Sequence, residues 1–405
     1  MKIGLFGFGV VGQGLYQLIN GTNYDNAVIT KVAVKNKDKS RIIPKEYLVY
    51  DAKSIIQDKT IDTVVEAIDD TDEAYKIAIA SLNAGKNFIT ANKKLIASHL
   101  EELTLLAKKN NVILRYEAAV GGAIPIVENI DNYFGNEPIY GIRGILNGTS
   151  NYILTKITKD KLEYKVALKQ AQELGFAETD PTADVGGFDP KYKLTILALH
   201  AYGVFLKPEN ILNIGIDRLR PEDFAYAKEK GYKIKLVPYL STIEQEVVGY
   251  VLPEFITDKD QLFSVDNEFN GVSVESSYAG AQFFYGRGAG AFPTASAVLS
   301  DIEHTINKRA YKLRKVESPN GVLDDTQILI EIYVRYTNDA IKRVLNFQSI
   351  SEGYFSTEYN QVTGFIALQD LKSVAHLLHR EKVSVIATGK RKLASVTNHR
   401  VLIAS

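Results

Sequence analysis

Residues 1–19 read MKIGLFGFGVVGQGLYQLI, and this stretch decides the fold class. Residues 2–6 have the pattern of a short apolar strand. Gly7-Phe8-Gly9-Val10-Val11-Gly12 is a G-x-G-x-x-G turn, and the run QGLYQLI behind it reads as a helix. The glycines allow a tight turn and let backbone N–H groups approach a pyrophosphate at the helix N-terminus. By itself the motif is weak. Between a strand and a helix it points to a dinucleotide site rather than to a close-packed glycine turn. Outward from it the alternation continues: TVVEAI, a helix through DEAYKIAIASLNAG, the strand NFIT, a helix from about Ala97 to Asn110, and VILRYEAAV. Strands alternating with helices argue an α/β fold with a parallel, doubly wound, Rossmann-type sheet.

The second strand runs from Val28 to Val34. An NAD-specific fold places an acid near its end, on the ribose 2′-hydroxyl. This chain has Lys35, Asn36 and Lys37 there, with Lys39 and Arg41 beyond. Basic residues suit a 2′-phosphate, so NADP(H) is expected over NAD(H); the alternative is an ordinary exposed turn. Thr90-Ala91-Asn92-Lys93 follows the strand NFIT, at a strand end where α/β sheets bind ligands. Glu117 leads into Val120-Gly121-Gly122-Ala123-Ile124-Pro125.

A second informative stretch is ETDPTADVGGFDPKYK, from Glu178 to Lys193. Glu178, Asp180, Asp184 and Asp189, with Glu173 just before them, crowd a segment rich in Gly and Pro, which makes a loop. Asp189-Pro190 is expected to cap the helix KYKLTILALHAYG. Asp189 and Lys193 then share a helix face. An amine among carboxylates keeps its proton, and could bind a carboxylate or protonate a carbonyl oxygen being reduced. A solvated acidic loop is the competing reading. Asn147-Gly148-Thr149-Ser150 supplies a backbone-rich turn entering a helix, which suits a substrate carboxylate.

The bulk numbers restrict the rest. A chain of 405 residues suggests two or three domains. It is 45% hydrophobic, 24% charged and of zero net charge, an ordinary globular composition with no electrostatic footprint for nucleic acid. No apolar run reaches a membrane span, and the chain starts directly on a strand, so a cytoplasmic location is expected. Without Cys, disulfides, thiolate metal sites and Cys nucleophiles are excluded.

Six motifs together resemble the homoserine dehydrogenase family: GFGVVG, TANK, EAAVGGAIP, GILNGTSNYIL at 144–154, AQELGFAETDPTADVGGFDPKYK at 171–193 and GRGAGAFPTASAV at 286–298. They stand in the family order over about residues 1–310. The resemblance implies NAD(P)H-dependent interconversion of L-aspartate 4-semialdehyde and L-homoserine, within threonine and methionine biosynthesis. It implies Lys193 as proton donor with Asp189 as its paired acid. It implies Glu178 and Asp184 around the substrate amino group, with Thr149 and Lys93 also at substrate. The cofactor would meet Gly7 to Gly12, Lys35, Thr90 and Lys93. A sodium-type cation would sit at Glu117 and the carbonyls of Val120, Gly122 and Ile124. The family also implies a homodimer or homotetramer joined through the substrate-domain sheet. One departure stands out: after the third strand the family carries a Gly pair, and this chain has Ala67-Ile68-Asp69-Asp70. Other NAD(P)-dependent amino-acid oxidoreductases, and a silent nucleotide sensor, are the rival readings.

Three domains are expected: a nucleotide-binding domain at 1–130, an α+β substrate and dimerisation domain at 131–318, and a module at 322–405. A helix from about Thr294 should return from the second to the first. The third reads β-α-β-β-α-β, a ferredoxin-like order that resembles the ACT regulatory domain. An oligomerisation module of the same order is the alternative. Pro319-Asn320-Gly321 is expected to be a linker, so a chain ending there should keep activity. The turn Tyr336-Thr337-Asn338-Asp339-Ala340 has no glycine, where an ACT-type amino-acid site commonly carries one. Association rather than threonine sensing is therefore expected of that module.

Overall fold

The computed structural model describes residues 1–21, 24–243, 245–322 and 325–394. Its first sheet is parallel: β1 (Lys2–Phe6), β2 (Val28–Ala33), β3 (Leu48–Val49), β4 (Thr63–Glu66), β5 (Asn87–Thr90) and β6 (Leu114–Arg115). The strand order is β3-β2-β1-β4-β5-β6. The order reverses between β1 and β4, and such a reversal opens a crevice at the strands' carboxyl ends. β1, β4 and β5 are buried along nearly their whole length because helices cover both faces of the sheet. Val10–Gly21 packs on Ala291–Ile306, so the late helix does return to the first sheet. A Cβ on Gly14 would lie 2.8 Å from the Ala291 carbonyl, which is why this helix pair admits only glycine there.

Two boundaries differ most from expectation. The helix expected from Ala97 begins at Lys93, because the Asn92 side chain accepts from Leu95 N at 2.9 Å and caps it. The run VILRYEAAV keeps only Leu114–Arg115 as strand and then turns at Glu117–Ala119.

Among the described residues the second sheet has eleven strands. They are β7 (Ile139–Ile145), β8 (Leu212–Asn213), β9 (Lys233–Ile243), β10 (Glu246–Ile256), β11 (Phe269–Ser276), β12 (Gly280–Arg287), β13 (Gly321–Val322), β14 (Ile328–Tyr336), β15 (Phe347–Phe355), β16 (Asn360–Ala367) and β17 (Ser384–Leu393). The main path is β12-β11-β7-β9-β10-β17-β14-β16-β15, with β8 and β13 also on β10. The helices Gly148–Asp160 and Phe188–Tyr202 pack on its middle. Among the described residues no helix is long and apolar enough to cross a membrane.

The last six elements follow the expected β-α-β-β-α-β order, with helices Ala340–Val344 and Leu368–Arg380. Their strands run β17-β14-β16-β15, each neighbour antiparallel, which is ferredoxin-like. The linker expected at Pro319-Asn320-Gly321 is instead paired into the fold. β17 joins β10 at Glu254–Ala387, and β13 pairs with β10 as well. Asn320 N donates to Tyr202 O at 3.0 Å and Asn320 Nδ2 to Gln245 O at 2.9 Å. A turn-rich segment looks like a linker in sequence, yet here its main chain is paired. One apolar cluster crosses the seam, with Leu212, Val248, Tyr250 and Leu252 against Ile328, Ile330, Ile332 and Val334. Asp223, fully buried, accepts from Arg335 Nε at 2.8 Å, Tyr333 Oη at 3.0 Å and Ser384 Oγ at 2.6 Å.

Candidate active site

The acidic stretch and the first turn of Phe188–Tyr202 meet the ends of β5 and β7. Asp189 does not cap that helix, as its sequence position suggests. Gly187, at φ 79°, takes the cap position, and Asp189 sits inside the first turn with its side chain free for other partners. Those partners are cations. Asp189 Oδ2 lies 2.8 Å from Lys193 Nζ, and Oδ1 lies 2.6 Å from Lys93 Nζ. Asp189 is 2% exposed and the Lys193 side chain 8%, whereas the Lys93 side chain is 44% exposed. Lys93 is the first residue of its helix and comes from the nucleotide half, so this ion pair spans the crevice between the halves.

Lys193 Nζ also donates to the Leu146 carbonyl at 2.5 Å, just beyond β7. Asn147 follows it. Its amide donates to Asp184 Oδ1 at 2.7 Å and to Asp189 Oδ2 at 2.9 Å, while its oxygen accepts from Ser150 N at 2.8 Å. All three of these bonds hold one amide orientation. Sequence reading saw Asn147 only as part of a turn; the N-cap position was the signal that could have drawn attention to its side chain.

The charges set the protonation states. Burial works to raise the Asp189 carboxyl, but the charges of Lys193 and Lys93 outweigh it and hold the group far below the usual carboxylate range. Burial lowers Lys193, and the charge of Lys93 adds to that against the pull of Asp189. Lys93 itself is raised, chiefly by Asp189, with burial opposing and Asp184 and Glu178 assisting. Burial and then the charge of Asp189 raise Asp184.

Glu178 is exposed, and its carbonyl accepts from Gln172 Nε2 at 3.0 Å. Two of the five acids do other work. Asp180 bonds its own turn at Thr182, and Glu173 pairs with Lys169 at 3.8 Å. The Thr149 hydroxyl donates to the Phe176 carbonyl. Its N–H, at the start of Gly148–Asp160, remains one of the helix's unpaired donors.

On the nucleotide side, Gly7 has φ 92° and a Cβ there would strike the Ala67 carbonyl at 2.3 Å. A Cβ on Gly12 would strike Gly7 O at 2.3 Å, while one on Gly9 would meet nothing within 4 Å. Gly9 thus leaves the open face a pyrophosphate needs. Phe8 is buried against Tyr16, and Val10 is exposed at the turn, with Val11 behind it. Lys35 Nζ lies 3.2 Å from Asp70, and its side chain is 78% exposed. The Thr90 hydroxyl is buried, donating to Glu66 Oε2 at 2.5 Å and accepting from Asn92 N at 2.9 Å. It therefore faces the sheet's own carboxyl, which sequence reading did not single out.

Glu117 is buried, and its two carboxylate oxygens accept from Val127 N at 3.0 Å and Glu128 N at 2.7 Å. Burial, and after it the charge of Asp301, push it up to about 8. The Ile124 carbonyl accepts from Ile126 N at 2.8 Å, and Gly122 has φ 58° with its Cα against Gly288. Val120, two residues before Gly122, is buried. Among the described residues no group of three His, Cys, Asp or Glu side chains could hold a metal ion.

Taken together, a glycine turn faces a crevice across which two lysines, one from each half, are bridged by one buried acid. That arrangement can bind a nucleotide and manage one proton beside it. The family model for homoserine dehydrogenase matches residues 125–302, and that for the homoserine dehydrogenase NAD-binding domain matches residues 7–117. A homoserine dehydrogenase of Lactococcus lactis is 34% identical over 99% of this chain and 93% of its own length. One of Bacillus subtilis is 36% identical over 75% of this chain and 72% of its own. The crystal structure of a homoserine dehydrogenase from Thiobacillus denitrificans superposes with a TM-score of 0.84 at 29% identity, covering 96% of this chain and 98% of that one. The chain belongs to the homoserine dehydrogenase family and is an NAD(P)-dependent oxidoreductase.

Proposed function

We propose that Lys193 gives a proton to the carbonyl oxygen of L-aspartate 4-semialdehyde and takes it back when L-homoserine is oxidised. The observation that supports this is the buried chain Lys193–Asp189–Lys93. A bound nicotinamide supplies or receives the hydride. Asp189, held ionised, keeps Lys193 oriented and offsets part of its burial. Lys93 stands at the crevice between cofactor and substrate. Asp184 and Glu178 take the substrate ammonium, and the helix start at Gly148-Thr149 takes its carboxylate. Steady-state oxidation of homoserine with NADP and with NAD tests the reading; failure to reduce either cofactor sinks it.

In the same reading the cofactor lies over Gly7 to Gly12 with its reactive end near Thr90 and Lys93. Lys35 favours NADP(H) through the 2′-phosphate, there being no acid at that strand end. Lys35→Ala is expected to weaken NADPH about tenfold and NADH little, one lost charge-assisted contact being worth about 1.5–3 kcal/mol at most and less where exposed. Equal losses for both cofactors in fluorescence titrations contradict it. A sodium-type ion would be held by Glu117 with the Val120, Gly122 and Ile124 carbonyls. Oxygen donors suit a hard cation, and a positive charge there would offset the buried carboxyl.

The division at 1–130, 131–318 and 322–405 remains our proposal for the domains, with the last an ACT-like module. Subunits would join through the second sheet, as a homodimer or homotetramer, in the cytoplasm. In the module's Tyr336–Ala340 turn, Asn338 does not take a positive φ, and it bonds Ala340 N at 3.0 Å and Glu381 at 3.3 Å. The turn is closed on itself. Threonine titrated against the full chain is expected to leave turnover close to unchanged, and strong inhibition contradicts this.

A further inference from the structure

Glu66 is a fully buried carboxyl at the end of β4, beside the strand-order reversal. No salt bridge reaches it among the described residues. Its oxygens instead accept two hydrogen bonds, from Ile68 N at 2.6 Å and from Thr90 Oγ1 at 2.5 Å. These donors lie on the two strand exits that border the crevice. The exit of β4 backs the glycine turn: Ala67 N donates to Phe6 O at 2.8 Å, and a Gly7 Cβ would strike the Ala67 carbonyl. The exit of β5 carries the catalytic wall. Thr90 Oγ1 accepts from Asn92 N at 2.9 Å, and Asn92 Nδ2 donates to Ile68 O at 3.2 Å. Asn92 caps the helix whose first residue, Lys93, reaches Asp189.

We propose that Glu66 is a positioning residue, whose carboxylate pins the exits of β4 and β5 together and so sets where Lys93 stands against Asp189. The hydrogen-bond count supports the ionised form. The Thr90 hydroxyl has one proton, which it gives to Glu66 while one of its lone pairs accepts from Asn92 N. A carboxylate only accepts, so both of its bonds stand. A protonated Glu66 has a proton of its own to place: given to the second lone pair of Thr90 Oγ1, it reverses that bond and leaves the buried Thr90 hydroxyl proton without its acceptor.

Burial pushes Glu66 up to about 7 against the Thr90 and Ile68 bonds, and the charge of Asp69 acts in the same direction as burial. Among the described residues, Asp69 is the charged side chain whose charge acts on it. The group is ionised above that value and protonated below it, so the Thr90–Glu66 link between the exits is disturbed as pH falls through neutrality. An acid limb near pH 7 in kcat/KM for semialdehyde reduction follows, the direction in which Lys193 contributes only an alkaline limb.

The inference rests on Lys93 being an active-site group, so Lys93→Met is measured alongside. If Lys93→Met keeps full turnover, that reading fails and this inference with it. Given its loss, Glu66→Gln in the full chain decides. Glutamine keeps the shape but resembles the protonated acid. Turnover is expected to fall about tenfold to a hundredfold, the scale of a small misplacement, and the acid limb near neutrality to vanish. A wild-type profile overturns the proposal. So does a uniform loss with the limb intact, which would mark a merely structural role. If Glu66→Gln fails to fold, Thr90→Val is used, which leaves the carboxyl and cuts its link to Asn92. Lower turnover at an unchanged thermal midpoint then supports the proposal, and unchanged turnover overturns it.

Discussion

Lys193→Ala is expected to lower turnover about 10²–10⁴-fold, the usual worth of a positioned general acid, while NADPH binding survives. The side chain is buried, bonded to Asp189 and Leu146, and far from the glycine turn in sequence, so its loss removes the proton carrier without opening the nucleotide site. Lys193→Arg should fare little better. A guanidinium keeps its proton at all working pH and cannot take one from homoserine. The pH dependence supplies a sign. Lys193 is lowered by burial and by Lys93, so its neutral form appears at lower pH than for a free lysine. Homoserine oxidation needs the neutral amine and rises with pH through that value; semialdehyde reduction needs the ammonium and falls. Replacing Lys93 removes one of the two lowering causes, so whatever activity survives should have its limb moved alkaline. Near-wild-type turnover of Lys193→Ala in single-turnover and steady-state assays excludes the assignment.

The first sheet was legible because its signals are local. The glycine turn, the short apolar strands and the spacing of helices are read within a few residues of one another, and every long strand fell where its apolar run lay. β3 was missed, since Leu48–Val49 is too short to carry a period. At the site, the acids could be found but not sorted. Glu173 and Asp180 are as acidic in sequence as Asp184 and Asp189, and only chain folding decides which are buried against Lys93 and Lys193. Asn147 and Glu66 went unread for a related reason. Their partners lie far off in sequence, Asp184 and Asp189 for one and Thr90 for the other, so no local pattern announces them. The seam between β10 and β17 is the extreme case. It joins Glu254 to Ala387, and nothing near either residue predicts it.

That seam reverses what the chain alone suggests about truncation. A chain ending at Asn320 is expected to lose stability and with it activity. Cutting there removes β13, β14 and β17, and leaves Leu212, Val248 and Leu252 without the apolar face they pack on. Each such side chain is worth about 1.5–3 kcal/mol on burial, so roughly 5–9 kcal/mol goes with these three. That is comparable to the whole stability of an ordinary domain, about 5–15 kcal/mol. Asp223 would keep its place in the substrate half but lose Arg335, Tyr333 and Ser384, and a carboxylate stripped of its partners is costly where it stays buried. The damage has a route to the chemistry. The segment before the cut bonds Tyr202 through Asn320, and Tyr202 closes the helix that begins with Asp189 and Lys193. Thermal unfolding and turnover of the truncated and full chains check this. A truncated chain that melts at the full chain's temperature and turns over homoserine normally would mean that the seam contributes little and that the last module is separable after all. Leu252→Asp in the full chain offers an independent arm: it should weaken the same seam without removing a residue, and lower the melting temperature with it.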